Sequence, residues 1–237
     1  MLAMTIGVFD GVHLGHQSLL QRLRLIHAPT IILTFSNHPS EILKHLAPPP
    51  LTPMPIKRIL LQEEGISEII SVPFTRHLAD QPFEEFLAPY SITHLILGED
   101  AAFGKDCQGT PEALRLLGLK RGFSVYALPK FCIDKQPVSS TRIRRLIAAG
   151  DLATAQSLLG RPHFFYYSPD DPQKPTLPPD GEYTIFSHSS SGIAPMTIRI
   201  QNQTPVLPLN IPQLISFGPN LNPLLFNKIC QTSLAAS

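Results

Sequence analysis

Two histidines flank a glycine near the start of the chain, in the segment His13-Leu14-Gly15-His16. The segment follows a short apolar run and precedes a stretch with helical periodicity, so it is predicted to lie where a strand turns into a helix. Backbone N–H groups point outward at such a helix start, and the helix dipole is positive there. Gly15 lets an anion approach the backbone, and both imidazoles can donate hydrogen bonds to phosphoryl oxygens. This turn is therefore predicted to bind phosphate.

The same two histidines also suit a metal ion, because ligands three residues apart on a helix can share one zinc. The sequence has no third ligand close by in the chain. Since a structural zinc site needs four ligands and a catalytic one needs three, we predict no metal held by protein side chains at this turn.

A second cluster of anion-binding residue types lies far along the chain, where Ser139, Ser140 and Thr141 are followed by Arg142 and Arg144. Three hydroxyls before an apolar-periodic run are typical of a helix N-cap, and a cap alone is the simplest interpretation. The two arginines add more donors than a cap requires, which indicates a second anion site at a helix start. Two such sites in one protein suggest a substrate that carries several phosphates.

The elements that would position these motifs alternate between strands and helices. Residues 4–9 read as a buried strand, residues 17–26 have the apolar spacing of a helix, and residues 30–35 are rich in β-prone residues. Strand, helix and strand within about 30 residues make a βαβ unit, which predicts a parallel sheet with a right-handed crossover.

The same alternation continues to residue 160. Further strands are predicted at 68–72, 93–97 and 124–128, with helices at 56–64, 82–87, 111–121, 140–149 and 151–159. Gly150 and Gly160 close the last two helices, as glycine often does. The fold class is therefore α/β.

The composition shifts after Gly160. The remaining residues hold about half of the 25 prolines, few charges and no helical periodicity. Short β-prone runs at 163–167, 182–188 and 196–201 are separated by turn residues, which predicts a small all-β unit. The predicted domains are residues 1–160 and residues 161–237.

Charge and composition exclude several classes of protein. The formal net charge is +1, which does not favour a bulk nucleic-acid or anionic-membrane binder. Cys107, Cys132 and Cys230 are widely spaced and form no disulfide framework, and no apolar run reaches the ~18 residues of a membrane span. We expect a cytoplasmic protein without membrane or nucleic-acid partners, and no feature indicates an oligomeric state.

Six segments together resemble one enzyme family, and one of them, Leu51-Thr52 followed by Lys57 and Leu60-Leu61, matches its middle helix. Residues 9–17, FDGVHLGHQ, match its first motif without departure, and residues 34–39, TFSNHP, are similar to its TFxPHP. Residues 97–105, LGEDAAFGK, resemble its flavin-side loop, residues 139–144 its SSTxIR, and residues 155–162 its exit into a second domain. The family is the bacterial bifunctional riboflavin kinase/FMN adenylyltransferase (FAD synthetase) family, within the HxGH nucleotidyltransferase superfamily.

The resemblance implies a Rossmann-like nucleotidyltransferase domain that converts ATP and FMN to FAD and pyrophosphate. The FMN phosphate would attack the α-phosphorus directly, so catalysis would rest on positioning and charge stabilisation. Mg²⁺ would arrive with ATP rather than sit in a protein cage. The substrates ATP and FMN would be the only partners implied.

The resemblance also implies roles for individual residues. His13 and His16 would contact the ATP phosphates and Arg144 would neutralise the leaving pyrophosphate, which makes these three the catalytic residues. Ser139, Ser140 and Thr141 would hold the β/γ end of ATP. The remaining predicted binding residues, on the nucleotide or the flavin side, are Gly7, Phe9, Asp10, Gly15, Asn37, His38, Asp100 and Phe103.

The last third of the chain departs from the family. Riboflavin kinase domains carry a glycine-rich stretch and a Pro-Thr-Ala-Asn segment, whereas this chain has no glycine between Gly160 and Gly181. Its Pro175-Thr176 pair is followed by Leu177 and Pro178, and a proline cannot replace an asparagine side chain. We therefore predict a degenerate kinase-like barrel and expect no riboflavin kinase activity.

Three alternatives stay open. One is a bifunctional enzyme whose kinase loop is built differently. Another is a nucleotidyltransferase acting on a different phosphate, such as phosphopantetheine or nicotinamide mononucleotide, against which the loop around Phe103 argues. The third is a non-catalytic flavin-binding protein, against which the intact His13, His16, Ser140 and Arg144 argue.

Overall fold

The structure is a computed structural model that describes residues 1–167, 174–189, 192–206 and 213–218. Its helices are α1 (Leu14–Arg24), α2 (Pro39–Lys44), α3 (Met54–Glu63), α4 (Arg76–Ala79), α5 (Phe83–Leu87), α6 (Pro111–Arg121), α7 (Ser140–Ala148) and α8 (Leu152–Leu159). Its strands are β1 (Ala3–Ile6), β2 (Thr30–Phe35), β3 (Glu68–Val72), β4 (His94–Gly98), β5 (Ser124–Leu128), β6 (Cys132–Ile133), β7 (Gln136–Pro137), β8 (Phe164–Tyr167), β9 (Gly181–Ser189), β10 (Gly192–Gln201), β11 (Thr204–Val206) and β12 (Gln213–Ser216).

Strands β1 to β5 form one parallel sheet in the order β3-β2-β1-β4-β5. The central strand β1 pairs with β2 from Ala3↔Thr30 onward and with β4 from Ala3↔His94 onward. All six residues of β2 are buried, as expected for a strand covered by helices on both faces. The predicted α/β fold with a Rossmann-like sheet is confirmed.

The apolar core of this sheet joins its strands to the flanking helices. Its buried members come from β1, β2, β4, α5, α6 and the residues just before β4 and β5: Met4, Leu33, Phe35, Phe83, Leu87, Ile92, Leu95, Leu97, Leu114, Leu117 and Phe123. The helices that flank the sheet therefore pack onto its strands through this core.

Strands β8 to β12 form a separate antiparallel sheet in the order β11-β10-β9-β12-β8. The hairpin of β9 and β10 supplies its longest ladder, from Gly181↔Ile200 to Ser189↔Gly192. Its buried core consists of Phe165, Leu177, Ile185, Ile198, Ile200 and Ile215. The predicted all-β character after residue 160 is confirmed, whereas Cys230 and residues 168–173 of the proline-rich stretch lie outside the described residues.

The Cα positions group into two compact units whose boundaries interrupt the sequence. The first unit comprises Met1–Phe9, Gly15–Pro48 and Glu64–Cys132, and it contains the parallel sheet. The second comprises Asp10–Leu14, Pro49–Glu63 and the described residues from Ile133 onward, and it contains α3, α7, α8 and the antiparallel sheet. Two short segments from the first half of the chain therefore belong to the unit formed mainly by its second half.

Several elements differ from the sequence-based expectation. Strand β1 ends at Ile6 instead of residue 9, because the backbone turns into positive φ at Phe9 (52°) and Val12 (38°). Helix α2 follows the end of β2 where no helix was predicted, with Pro39 in its first turn and the His38 ring accepting the Ser40 N–H. Helix α4 was also missed. No helix among the described residues is long and apolar enough to cross a membrane.

Candidate active site

The carboxylate of Asp10 is the centre of a buried polar cluster in the second unit. Asp10 is 6% exposed and accepts hydrogen bonds from the backbone N–H of Leu51 (3.0 and 3.1 Å) and of Thr52 (3.0 Å). The same carboxylate forms an ion pair with the Arg144 guanidinium. Because the carboxylate already has three partners, its role in the structure is to hold other groups in place.

Arg144 reaches the cluster from the first turns of α7. Its Nη2 is paired with Asp10, and its Nε donates to the carbonyl of Pro49 at 2.8 Å. One helical turn earlier, Ser140 Oγ donates to the backbone carbonyl of Asp10 at 2.8 Å. Two side chains of α7 therefore donate to Asp10, one to its backbone carbonyl and one to its carboxylate.

His13 lies in the same unit and is 4% exposed. Burial lowers the pKa of its imidazole to about 3, and the positive charges of Arg161 and then Arg144 act in the same direction. His13 is thus neutral near pH 7 and offers an N–H donor without a charge. Arg161 is fixed by its Nη2, which donates to the carbonyl of Gly11 at 2.7 Å.

Lys57 in α3 adds a buried ammonium to this unit. Its residue is 5% exposed, and burial lowers its pKa to about 8, partly offset by the negative charge of Asp10. Lys57, Arg144 and Arg161 outnumber the single carboxylate of Asp10 in the cluster. This excess of positive charge favours an anionic ligand.

The three hydroxyl residues before α7 have different surroundings. Ser139 is the N-cap, and its Oγ accepts the Arg142 N–H at 3.2 Å. Ser140 makes the contact with Asp10 described above, while Thr141 is exposed in the first turn. An N-cap role therefore explains Ser139 but not Thr141, which is exposed to solvent.

In the first unit, the predicted residues Gly7, Phe9, Gly15 and His16 lie just beyond the carboxyl end of β1. The Phe9 ring is buried with its centroid 5.0 Å from that of His16, which belongs to the first turn of α1 together with Gly15. A Cβ at Gly7 would lie 3.1 Å from the Phe9 ring, so the glycine makes room for the aromatic side chain. Phe9 is therefore part of the packing that supports His16.

The strand order places the end of β1 beside the end of β4. Connections from these two neighbouring central strands run to opposite sides of the sheet, and ligands of open α/β sheets bind at such a switch point. Gly7 follows β1 there, and Asp100 follows Gly98 at the end of β4. Asp100 is exposed and pairs with the Lys130 ammonium at 3.0 Å.

The pair Asn37 and His38, which follows β2, is engaged with the backbone. The Asn37 side chain accepts the Phe74 N–H at 2.7 Å and donates to the Phe74 carbonyl at 3.1 Å, so it acts like one more residue of a β ladder. His38 Nδ1 accepts the Ser40 N–H at 3.1 Å as the cap of α2. Both residues thus have structural contacts at positions predicted to bind the flavin.

Phe103 belongs to the loop that follows β4. Its backbone forms a β-bridge with Gly109, and its ring packs edge-on against Phe86 with centroids 5.7 Å apart. A Cβ at Gly104, where φ is +74°, would come within 2.9 Å of the Phe83 backbone nitrogen. The loop is therefore pressed tightly against the start of α5.

Metal ligands do not gather in the parts of the chain that the structure describes: no group of three or more His, Cys, Asp or Glu side chains could hold an ion there. In the buried cluster of the second unit, the carboxylate of Asp10 already has an arginine and two amides as partners. This donor set suits a ligand that brings its own cation. The absence of a protein metal site stays a prediction.

Sequence reasoning assigned no role to Lys57 or Arg161, although both belong to motif-bearing segments. The available signals were weak: a lysine within an amphipathic helix, and an arginine directly after the C-cap Gly160. The burial of Lys57 and the contact of Arg161 with Gly11 become visible only once α3 and the residues after α8 are placed in the same unit as Asp10.

Comparisons with known proteins show which family the chain resembles. The sequence model described as FAD synthetase matches residues 1–142. The bifunctional riboflavin kinase/FMN adenylyltransferase of Haemophilus influenzae is 36% identical over 171 residues, covering 68% of this chain and 56% of the relative. The protein of that name from Escherichia coli K12 is 34% identical over 169 residues, covering 67% and 54%. This chain thus spans about half the length of these two relatives.

A shorter relative and a solved structure extend the comparison. The FAD synthetase of Listeria monocytogenes is 34% identical over 170 residues, covering 68% of this chain and 69% of the relative. A crystal structure of a Streptococcus pneumoniae protein described as a macrolide-efflux protein superposes with a TM-score of 0.72 at 22% identity, covering 93% of this chain and 79% of that one. At that identity the superposition supports the fold alone. On the family match and the relatives, the chain belongs to the FAD synthetase family.

Proposed function

We propose that this protein is an FMN adenylyltransferase, which transfers AMP from ATP to FMN. The observation that carries the proposal is the buried cluster around Asp10, in which Arg144 is anchored and His13 is held neutral. Such an arrangement supplies fixed hydrogen-bond donors and positive charge, which is what phosphoryl chemistry without a protein nucleophile requires. Membership of the FAD synthetase family gives the acceptor, FMN.

In the proposed reaction, a phosphate oxygen of FMN attacks the α-phosphorus of ATP. A new P–O bond forms, the bond from the α-phosphorus to the bridging oxygen breaks, and pyrophosphate leaves with the electron pair. No covalent intermediate on the protein is needed. The protein contributes by orienting both substrates and by stabilising the charge that develops on the transferred group and the leaving group.

His13, His16 and Arg144 are the proposed catalytic residues. A neutral His13 donates a hydrogen bond to an ATP phosphoryl oxygen. It carries no imidazolium charge, which would stabilise the bound ground state as well as the transition state. His16 contributes from the first turn of α1, where the helix dipole favours an anion. Arg144 neutralises the departing pyrophosphate, and its anchoring by Asp10 keeps its planar guanidinium oriented.

The binding residues complete the proposal. On the nucleotide side we place Gly7, Phe9, Asp10, Gly15, Ser139, Ser140 and Thr141. On the flavin side we place Asn37, His38, Asp100 and Phe103. The contacts of Asp10, Phe9 and Asn37 within the protein mean that these three act by shaping the site, whereas Thr141 and Asp100 are exposed and can meet a ligand directly.

In the proposed reaction, Mg²⁺ binds together with ATP. The cationic character of the Asp10 cluster suits a nucleotide whose metal is bound mainly by its own phosphates. The ion would add Lewis-acid stabilisation of the phosphates when it is bound. The chain's own residues would bind the remaining phosphate oxygens.

We propose that residues 1–160 form the adenylyltransferase domain and residues 161–237 a kinase-like remnant without kinase activity. Thr176 is 5% exposed and its hydroxyl faces backbone carbonyls, so it is not available to a nucleotide. We also place the enzyme in the cytoplasm, where both substrates occur, with small molecules rather than nucleic acid or membranes as its partners.

Product analysis tests the proposal directly. The purified chain is incubated with ATP and Mg²⁺ plus either FMN or riboflavin, and flavins and pyrophosphate are quantified. We expect FAD and equimolar pyrophosphate from FMN, and no FMN from riboflavin. Binding of FMN without release of pyrophosphate would instead establish a flavin-binding protein, and turnover of nicotinamide mononucleotide but not FMN would establish another nucleotidyltransferase.

A variant pair tests the site. His16→Ala is expected to lose adenylylation by about two orders of magnitude or more, because donors to the transition state are lost. The exposed His77 in α4 provides the control, and His77→Ala should retain the wild-type rate. A His16→Ala enzyme with a near-normal rate would remove this histidine from the mechanism.

A further inference from the structure

The segment of residues 49–52 connects Arg144 to the β-rich part of the second unit. Pro49 and Pro50 have no backbone N–H, and the N–H groups of Leu51 and Thr52 both donate to Asp10. The segment belongs to no helix or strand, so its carbonyls obtain donors from side chains and distant backbone. Those donors come from two directions.

One donor is Arg144, whose Nε binds the Pro49 carbonyl at 2.8 Å. The other is Thr176, whose Oγ1 lies 2.9 Å from the same Pro49 carbonyl and 3.1 Å from that of Pro50. The Thr176 N–H also donates to the Pro50 carbonyl at 3.1 Å. Arg144 and Thr176 therefore share one acceptor, the oxygen of Pro49.

Thr176 is itself held firmly by the antiparallel sheet. The Nε2–H of the buried His163 donates to the Thr176 carbonyl at 2.8 Å, and the His163 ring stacks on Phe217 at 5.8 Å between centroids. The Phe217 N–H returns to the His163 carbonyl at 2.9 Å, and Leu177 is part of the buried core. The Thr176 hydroxyl thus has a position fixed by the β-rich core.

We propose that Thr176 is a positioning residue for Arg144: through the Pro49 carbonyl, the β-rich region holds the guanidinium in the orientation that the transferred phosphates require. The proposal rests on the proposed function for its effect on catalysis. It gives the β-rich region a task at the proposed site, because a threonine of that region shares the Pro49 carbonyl with Arg144. Its contact with the Pro49 carbonyl lies within the chain, so no kinase activity is needed to retain it.

The variants that test the positioning role of Thr176 change only its hydroxyl group. Thr176→Val keeps the shape and the backbone N–H but removes the donor to Pro49, and Thr176→Ser restores it. Thr184→Val, at an exposed position of β9, is the matched control. We expect Thr176→Val to lower kcat for FAD formation about tenfold, the effect of one net hydrogen bond, with KM for ATP changed less than twofold. Serine should restore most of the rate, and Thr184→Val should behave as wild type.

A double-mutant cycle separates positioning from a general loss of structure. In an Arg144→Ala background, Thr176→Val should have little further effect on kcat, because the group that it positions is gone. Additive losses in kcat would overturn the proposal, as would an unchanged kcat in Thr176→Val or a failure of serine to restore it.

Hydrogen exchange gives a readout that does not depend on turnover. In Thr176→Val the amides of Leu51 and Thr52 should exchange about tenfold faster, while the Ala155 amide in α8 should not change. If the wild-type chain makes no FAD, the proposed function fails. The exchange rates alone then decide whether Thr176 holds the segment of residues 49–52 in place. Unchanged exchange at Leu51 and Thr52 would overturn it.

Discussion

The Asp10 carboxylate and the Arg144 guanidinium form a buried ion pair across 134 positions of sequence. Their side chains are only 9% and 13% exposed, so neither charge is well solvated. Two backbone N–H groups, from Leu51 and Thr52, satisfy the remaining capacity of the carboxylate. A buried pair of this kind adds little net stability when intact, but removing one partner is costly.

The two partners should therefore differ when they are truncated. Asp10→Ala leaves a guanidinium and two backbone amides without their acceptor, and we expect it to lower the free energy of unfolding by about 3 kcal/mol or more. Arg144→Ala leaves the carboxylate with its two amide donors and the nearby Lys57, so its cost should be smaller, about 1–2 kcal/mol, although catalysis is lost.

Urea unfolding of both variants measures this difference. The exposed pair of Arg76 and Asp80 in α4 offers a control, and Asp80→Ala should cost less than about 0.5 kcal/mol. Equal losses for Asp10→Ala and Asp80→Ala would contradict a central anchoring role for Asp10.

Acid should destabilise the protein in a window set by two buried histidines. The pKa of His13 is lowered to about 3 and that of His163 to about 4, in both cases chiefly by burial. In the unfolded chain both titrate near 6.5, so the unfolded state binds more protons between these values and stability falls as the pH drops below 6.5. Each histidine contributes a slope of at most about 1.4 kcal/mol per pH unit until its folded pKa is reached.

Replacing one of the two buried histidines should make the free energy of unfolding depend less steeply on pH. His163→Gln keeps a side-chain donor toward the Thr176 carbonyl and lacks the titrating group, so its unfolding free energy should fall less steeply between pH 6.5 and 4. His77→Gln, at an exposed site, removes a histidine while leaving both buried rings in place. Parallel curves for wild type and His163→Gln would show that this ring does not drive the acid transition.

Much of the fold could be predicted because its information is local. The runs at 30–35, 68–72, 111–121 and 124–128 coincide with β2, β3, α6 and β5, since apolar period, turn residues and caps agree there. Helix α2 was missed because it has six residues and buries none of them, so it has no apolar period to detect. Its signal was a cap followed by a proline.

The candidate site could be predicted in its motifs but not in its connections. The residue types of His13, His16 and Arg144 are by themselves enough to predict phosphate chemistry. The partners of Asp10 lie 41, 42 and 134 positions away, and no local pattern specifies them. The contact of Thr176 with Pro49 spans 127 positions and involves a backbone carbonyl, which leaves no signature in residue type.

Replacing Lys57 should lower the activity without lowering the free energy of unfolding. Burial lowers its pKa to about 8, so at pH 7 the folded state carries a desolvated ammonium. Lys57→Met removes that cost, and its unfolding free energy at pH 7 should be at least that of wild type, while kcat/KM for ATP falls about tenfold through the lost positive charge. In wild type, stability should rise from pH 8 to 10.5, because the unfolded chain holds the proton longer, and activity should decline above pH 8.

Unfolding curves and rate profiles between pH 7 and 10 check both parts. Lys44→Met, which changes an exposed lysine in α2, is the control for removal of one positive charge. If Lys57→Met retains full activity with an unaltered alkaline profile, the ammonium has no part in the reaction. If it is much less stable at pH 7, burial is not the dominant influence on this lysine.

The flavin-side loop can be tested with two glycines that both have positive φ but differ in ψ and in the space around them. Gly104 (φ 74°, ψ −176°) lies in a region that essentially only glycine adopts, whereas Gly122 (φ 79°, ψ 34°) is left-handed helical, where alanine costs about 1 kcal/mol. Only at Gly104 would the new Cβ approach the Phe83 backbone nitrogen within 2.9 Å, whereas nothing lies within 4 Å at Gly122. Gly104→Ala should therefore cost at least about 1 kcal/mol more and displace the loop that carries Phe103. We expect KM for FMN to rise several-fold in Gly104→Ala and to stay unchanged in Gly122→Ala; equal KM values in the two variants would separate this loop from flavin binding.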